Sequence, residues 1–146
     1  MGTLAMIDEG ETDWKLLAID VQDEMADKLN DVDDIETHMP GLLAATVEWF
    51  KIYKMPDGKP PNEFAFDAKP KDKAFALDVI KTCSDQWKAL MDKDMGPEGI
   101  SRACTAFECS AKIGQDDANA TVEAASAPGE DKGLETSVDK WHYVKL

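Results

Sequence analysis

The chain has 146 residues, of which 16 are basic and 30 acidic, for a formal charge of −14. That length suits one domain with a modest core, and that charge argues against nucleic acid or an anionic membrane as partner, since both need a basic footprint. No apolar run approaches the roughly 20 residues of a membrane span, no secretory leader is legible, and 3 cysteines without a CxxC pair beside 2 histidines indicate neither a disulfide framework nor a zinc or histidine-rich metal site, so the chain reads as cytoplasmic.

Two short apolar runs, Gly2-Thr3-Leu4-Ala5-Met6-Ile7 and Leu16-Leu17-Ala18-Ile19, flank the polar stretch Asp8-Glu9-Gly10-Glu11-Thr12-Asp13-Trp14-Lys15. Apolar runs around a Gly-containing polar cluster predict two strands, residues 2–8 and 13–20, with Glu9 to Thr12 as a four-residue loop. In that register Asp8 and Asp13 face each other with Cβ atoms about 4.5–5.5 Å apart. Lys15 projects from the same face as Asp13. Two carboxylates so close repel unless a cation lies between them. Mg²⁺ fits, because it takes one or two carboxylates plus water and phosphate oxygens, and Lys15 beside it would serve a phosphate. A solvated acidic turn is the plainer reading of the same residues.

From Asp20 to Glu36 the chain is acidic, with Asp31, Asp33 and Asp34 close together. A calcium loop of the EF-hand type needs Asp or Asn at its fifth position and Gly at its sixth. Here those positions hold Ile35 and Glu36, so a loop and a short helix, entered near Asn30 and stopped before Pro40, is the expectation. Gly41 to Lys54 has helical spacing, with Leu42, Thr46, Trp49 and Tyr53 on one line and Leu43, Val47 and Phe50 on the next. Trp49 and Phe50 read as core. Pro56 ends the helix, leaving Tyr53 and Lys54 at its last turn, where a phenol and an ammonium can reach a cleft.

Pro56 to Asn62 is a loop by its Pro and Gly content. From Lys71 to about Asp94 a second amphipathic helix is expected, with Ala76, Val79, Ile80, Cys83, Trp87, Leu90 and Met91 on its packed stripe and Met95-Gly96-Pro97 as its stop. Residues 96–138 then lose periodicity, a composition that predicts a disordered acidic tail. Trp141-His142-Tyr143-Val144 suits a short terminal strand or aromatic anchor.

The run from Met6 to Lys15 resembles the signature of the soluble inorganic pyrophosphatases of the animal and fungal type. The similarity continues through Pro40-Gly41-Leu42-Leu43, Glu48 to Pro60, Asn62-Glu63-Phe64-Ala65-Phe66 and Lys73 to Lys81, and returns at Val138 to Tyr143. The resemblance implies a mainly β fold with packed helices (α+β), part of an OB-like five-stranded barrel. It divides the chain into the C-terminal portion of a pyrophosphatase domain (1–95), the low-complexity tail (96–138) and a terminal aromatic segment (139–146). It implies Mg²⁺-dependent hydrolysis of pyrophosphate to two phosphates. Asp8 and Asp13 match metal-binding carboxylates; Lys15, Tyr53 and Lys54 match groups that hold the phosphates, with Lys15 the catalytic one. A homodimer, with the tryptophan at 141 near the contact, or pairing with a full-length subunit is the implied association.

The chain also departs from the family pattern. The family's Asp-x-Asp-Pro-x-Asp motif, upstream of the position of Asp8, has no counterpart, and Asp31-Val32-Asp33-Asp34 fails because Asp34 stands at the proline position. The expectation is therefore a C-terminal half (a fragment, truncated gene model or shortened isoform) with an incomplete site and no activity by itself. The alternative is a non-catalytic truncated isoform that associates with a full-length subunit. An unrelated acidic Mg²⁺- or Ca²⁺-binding protein would explain the hairpin but not the co-linear matches beyond it.

Overall fold

The structure, a computed structural model, describes residues 2–92, 101–106, 111–131 and 133. The first apolar run forms β1 (Gly2–Asp8) and the next run forms β2 (Glu11–Leu17), antiparallel from Gly2↔Leu17 to Asp8↔Glu11. Their connection takes two residues, not the four expected. Glu9 and Gly10 both have positive φ, 50° and 91°, as a type I′ turn requires, and the twist of that turn matches the strands it joins. Glu11 and Thr12 are drawn into the ladder, so Asp8 faces Glu11 while Asp13 faces Met6. Asp8 and Asp13 still share a face, but as diagonal neighbours about 7–8 Å apart at Cα rather than as a facing pair.

β1 is the middle strand of a three-stranded antiparallel sheet of order β2-β1-β3, with β3 (Glu63–Phe64) paired to Met6 and Ile7. On that same edge Thr3 exchanges two backbone bonds with Lys71, at 3.0 and 2.8 Å. Thr3, Leu4, Ala5 and Met6 are buried, so this short strand reads as a nearly continuous apolar run instead of an alternating one. The Thr3 hydroxyl is satisfied by donating to the Lys15 carbonyl at 3.2 Å. A Cβ at Gly2 would collide with Val32 and meet the Lys71 carbonyl at 2.7 Å, so glycine lets the chain approach there.

The acidic cluster resolves into helix caps. In α1 (Val32–His38) the Asp31 carboxylate accepts from Val32 N at 2.7 Å, and the Asp34 carboxylate reaches back to Asp31 N at 3.0 Å and Asn30 N at 2.8 Å. Those two backbone donors, Asp31 first, hold the Asp34 carboxyl below its ordinary pKa. The same Asp31 oxygen accepts from Lys73 N at 2.9 Å, tying the start of α3 (Lys73–Met91) to the start of α1.

Between these two lies α2 (Leu42–Ile52), which buries Leu43 alone while Leu42 and Trp49 stand exposed. Trp49 is therefore not the core residue its spacing suggested. Cys83 and Trp87, expected to pack, are likewise exposed on α3, whereas Ala76 and Met91 are buried. Periodicity identifies an apolar stripe; it does not say what covers it. The expected stop at Met95-Gly96-Pro97 lies outside the described residues.

Phe66, Asp67 and Ala68 form a single left-handed turn with φ of 56°, 55° and 59°. Each such residue costs roughly 1–2 kcal/mol when it carries a Cβ. The turn is held by Ala65 N bonding to the Ala5 carbonyl at 2.9 Å, and by the Lys71 ammonium 4.2 Å from the Phe66 ring centroid.

The chain divides into two compact units, with the boundary between Ile80 and Lys81. In the second, Arg102 donates to the Met91 carbonyl at 3.0 Å and so caps the end of α3. A further helix, α4 (Gln115–Glu123), occurs where no regular element was expected. It starts at Gly114, whose N–H meets the Asp117 carboxylate at 3.3 Å, and none of its residues is buried. The segment 139–146 lies outside the described residues. The described elements make an α+β fold with a partial barrel, three strands as part of the five-stranded barrel the resemblance implies.

Two substitutions test this frame. Asp31→Ala removes a cap and the tie to Lys73, and is expected to cost about 1–2 kcal/mol in urea denaturation; no change would show the cap to be dispensable. Ala68→Gly relieves one left-handed residue and is expected to stabilise by about 1 kcal/mol; a loss of stability would contradict that backbone.

Candidate active site

The five residues singled out in the sequence come together through one ring of contacts. Asp8 sits at the end of β1. Its two carboxylate oxygens accept from the Lys54 ammonium at 2.7 and 2.6 Å. Lys54 lies 5.5 Å from the centroid of the Tyr53 ring. Tyr53, which caps α2, packs edge-on to Phe50 with centroids 6.0 Å apart and stacks on Trp49 at 5.0 Å. The Lys15 ammonium stands 5.0 Å from the Phe50 centroid and pairs with Asp13 at 2.7 Å. Asp13 and Asp8 are diagonal neighbours on that hairpin face, each held by its own lysine. The order Asp8, Lys54, Tyr53, Phe50, Lys15, Asp13 thus runs from one carboxylate round to the other.

Sequence reasoning assigned Phe50 to the core and missed its place between the two lysines. Asn62 was missed as well. Its side-chain amide donates to the Phe50 carbonyl at 2.8 Å and its backbone N–H donates to the Lys51 carbonyl at 2.9 Å. Those are two of the carbonyls a helix leaves unsatisfied at its C-terminus, so Asn62 fixes the end of α2, and with it Tyr53 and Lys54. A polar side chain following Pro60-Pro61 and preceding a strand was the available signal.

Charges in the ring balance, two carboxylates against two ammoniums. Both pairs are partly exposed, with Lys15 at 27% and Asp13 at 37%, and Lys54 at 27% and Asp8 at 30%. Pairs this accessible are screened and exchange partners at small cost. The Asp8 carboxylate beside it holds the Lys54 ammonium above the ordinary lysine pKa, with the Tyr53 phenol acting in the same direction. Among the described residues no three His, Cys, Asp or Glu side chains gather closely enough to enclose a metal. The two acids Asp8 and Asp13 on one sheet face do fit the one or two carboxylates that Mg²⁺ needs when water and phosphate oxygens complete its shell.

The inorganic pyrophosphatase family model matches residues 1–88. The chain is 46% identical over 145 residues to the inorganic pyrophosphatase of Kluyveromyces lactis, spanning 99% of this chain and 50% of that protein. It is 51% identical over 148 residues to the inorganic pyrophosphatase of Homo sapiens, spanning 99% and 51%. Among solved structures, the inorganic pyrophosphatase from Schistosoma japonicum matches with a TM-score of 0.85 at 39% identity, over 97% of this chain and 51% of that one. An N-terminal domain truncated vacuolar soluble pyrophosphatase of Trypanosoma cruzi, solved in complex with PPi, matches with a TM-score of 0.60 at 40% identity, over 62% and 34%. This chain belongs to the inorganic pyrophosphatase family. It spans about half the length of the curated relatives it matches. Among its described residues no helix is long and apolar enough to cross a membrane.

Lys54 gives a direct check on the ring. A lysine whose pKa is raised in the fold adds stability below the unfolded lysine value and loses it as pH rises through the folded value. Removing the anion should remove the shift. In Asp8→Asn the Lys54 side chain, followed by ¹³C NMR through alkaline pH, is expected to titrate closer to the ordinary lysine range; an unmoved titration would break the assignment of that pair.

Proposed function

We propose that this chain supplies one part of a pyrophosphate-hydrolysing site, in which Asp8 and Asp13 hold Mg²⁺ and Lys15, Tyr53 and Lys54 hold the phosphates. The observation that carries the reading is the run of contacts from Asp8 round to Asp13, which gathers two carboxylates, two ammoniums and a phenol beside one face of the hairpin. Bound there, Mg²⁺ would supply charge neutralisation and a more acidic bound water. The chain's own groups do the rest. Lys15 and Lys54 bring positive charge toward phosphate oxygens, and Tyr53 presents a phenol that donates. Phe50 keeps the Lys15 ammonium, and Tyr53 the Lys54 ammonium, from drifting toward solvent. Because each lysine rests on a carboxylate, opening the two ion pairs frees acids for the cation and ammoniums for the anion in one exchange. Membership of the inorganic pyrophosphatase family, and the binding of PPi by the Trypanosoma cruzi relative, support the substrate class.

Charge sets the level of activity expected. Pyrophosphate is strongly anionic, and this ring has no surplus of positive charge with which to neutralise a leaving phosphate. Removing one electrostatic contact of this kind costs about 10²–10³ in rate. The 146-residue polypeptide by itself should therefore release phosphate from magnesium pyrophosphate barely above buffer. A polypeptide carrying the family's Asp-x-Asp-Pro-x-Asp motif and the remaining length of the Kluyveromyces lactis relative, fused or added in trans, should restore hydrolysis. Asp13→Ala or Lys15→Ala should then lower the restored rate about 10²-fold. Robust hydrolysis by the chain alone, or a restored rate indifferent to both substitutions, would overturn the proposal.

A further inference from the structure

Beside Lys54 lies a cavity of about 450 Å³, whose lining includes Asp8, Glu9, Gly10, Lys54, Lys59 and the segment from Pro60 to Glu63. Lys54 and Lys59 reach it from the two ends of one closed loop. The Lys54 carbonyl accepts from Asp57 N at 3.1 Å and from Lys59 N at 3.4 Å, and Gly58, at φ 78°, bonds to the Met55 carbonyl at 2.9 Å. Gly58 takes the left-handed conformation at no steric cost. The loop therefore behaves as a short clamp with an ammonium on each arm. Each arm rests on one of two successive carboxylates, Lys54 on Asp8 and Lys59 on Glu9.

The two rests are unequal. Lys54 meets both oxygens of Asp8 at 2.7 and 2.6 Å, whereas Lys59 meets one oxygen of Glu9 at 3.3 Å, with the two side chains 58% and 78% exposed. A long pair that open to water is the weakest kind of ion pair. Glu9 is itself held at φ 50° by the hairpin turn, which fixes where its side chain starts. We infer that Lys59 is a third phosphate-binding cation of this chain, parked on Glu9 and released to the outer phosphate of a metal-complexed diphosphate entering beside Lys54. The inference rests on the pyrophosphate reading above and extends it to a residue outside the ring. The cavity also shows which form of the anion it takes. Asp8, Glu9 and Glu63 outnumber the two lysines there, so a bare diphosphate meets net negative charge, while one carrying Mg²⁺ arrives with much of its own charge offset and offers Asp8 a cation.

Calorimetric titration of the full chain with imidodiphosphate, a diphosphate analogue that resists hydrolysis, in the presence of Mg²⁺ tests this. Lys59→Gln is expected to weaken binding about tenfold and Lys59→Arg to restore most of it. Glu9→Gln should strengthen binding several-fold, because it removes the resting partner and one repelling charge; a lysine with only a surface role would leave both values unmoved. Omitting Mg²⁺ should abolish the dependence on Lys59. Lys59→Gln binding as tightly as the unaltered chain, while Lys54→Gln and Lys15→Gln bind weakly, would overturn the role of Lys59 and leave the ring intact. Binding unaffected by all three substitutions, or no binding at all, would overturn the pyrophosphate reading together with this one.

Discussion

Strand β1 is held on every side. β2 runs along one edge for its full length, while β3 and the Thr3–Lys71 exchange occupy the other, and its residues from Thr3 to Met6 are buried. A central strand with both edges paired cannot slip without turning its apolar set outward and breaking two ladders at once. Its last residue is Asp8. The position of that carboxylate is thus set by the sheet, and Lys54, bonded to both of its oxygens, marks where the end of α2 must lie relative to the hairpin. Asn62 enforces the same relation from another direction, since it bonds to α2 carbonyls just before the chain enters β3. Two independent ties to one strand make the ring a consequence of the sheet.

The ring in turn solves an electrostatic problem. Two like-charged ammoniums brought toward one substrate repel each other, and so do two carboxylates meant for one cation. Pairing each ammonium with a carboxylate removes both repulsions in the resting protein, and the faces of Phe50 and Tyr53 add a weak attraction that keeps the lysines over the aromatic surface. Full burial of such pairs would make them costly to open. Partial exposure keeps them exchangeable. The architecture favours readiness over strength, which suits the proposed exchange of these ion pairs for those of a metal and a phosphate.

Much of this was legible in the residues, and the misreadings have identifiable causes. The apolar runs around Asp8 to Lys15 announced a hairpin, but its register depended on whether Glu9-Gly10 or Glu9-Thr12 made the turn. Only the preference of twisted strands for a type I′ connection decides that. The acidic run from Asp31 to Asp34 lacks the calcium-loop spacing, and its use as a capping box was not foreseen, because Asp replaces the more familiar Glu at the third helical position. Trp49, Cys83 and Trp87 were placed in the core because helical spacing reports a stripe and not its neighbours. Phe50 was placed there for the same reason, although its ring serves Lys15. The left-handed turn at Phe66 to Ala68 gave no warning at all: none of its residues is glycine, and only the bonds that the surrounding strand and Lys71 impose make it tolerable. For α4, nine residues, none of them buried, form a helix through a local cap and not through burial, which hydrophobic periodicity cannot detect.

How an acidic chain could serve the proposed anionic substrate is answered by where the charges go. The formal charge of −14 is a property of the whole chain, and many of the acids are spent on local backbone work. Asp31, Asp34, Asp72 and Asp117 accept helix N-terminal N–H groups, while Asp20 and Asp23 close turns in the loop between β2 and α1. Exposed charges beyond a Debye length of about 8 Å are largely screened at physiological ionic strength. Under the proposed function an incoming diphosphate meets the local set: Lys15, Lys54 and Lys59, each matched to its own acid in Asp13, Asp8 and Glu9, with Glu63 as a fourth acid. Such a set has no standing attraction for a free anion. On that proposal it responds to cation and anion arriving together, since only then can Asp8, Asp13 and the lysines exchange partners without leaving a charge bare, and selectivity for a metal-loaded diphosphate follows from that pairing without any net positive field.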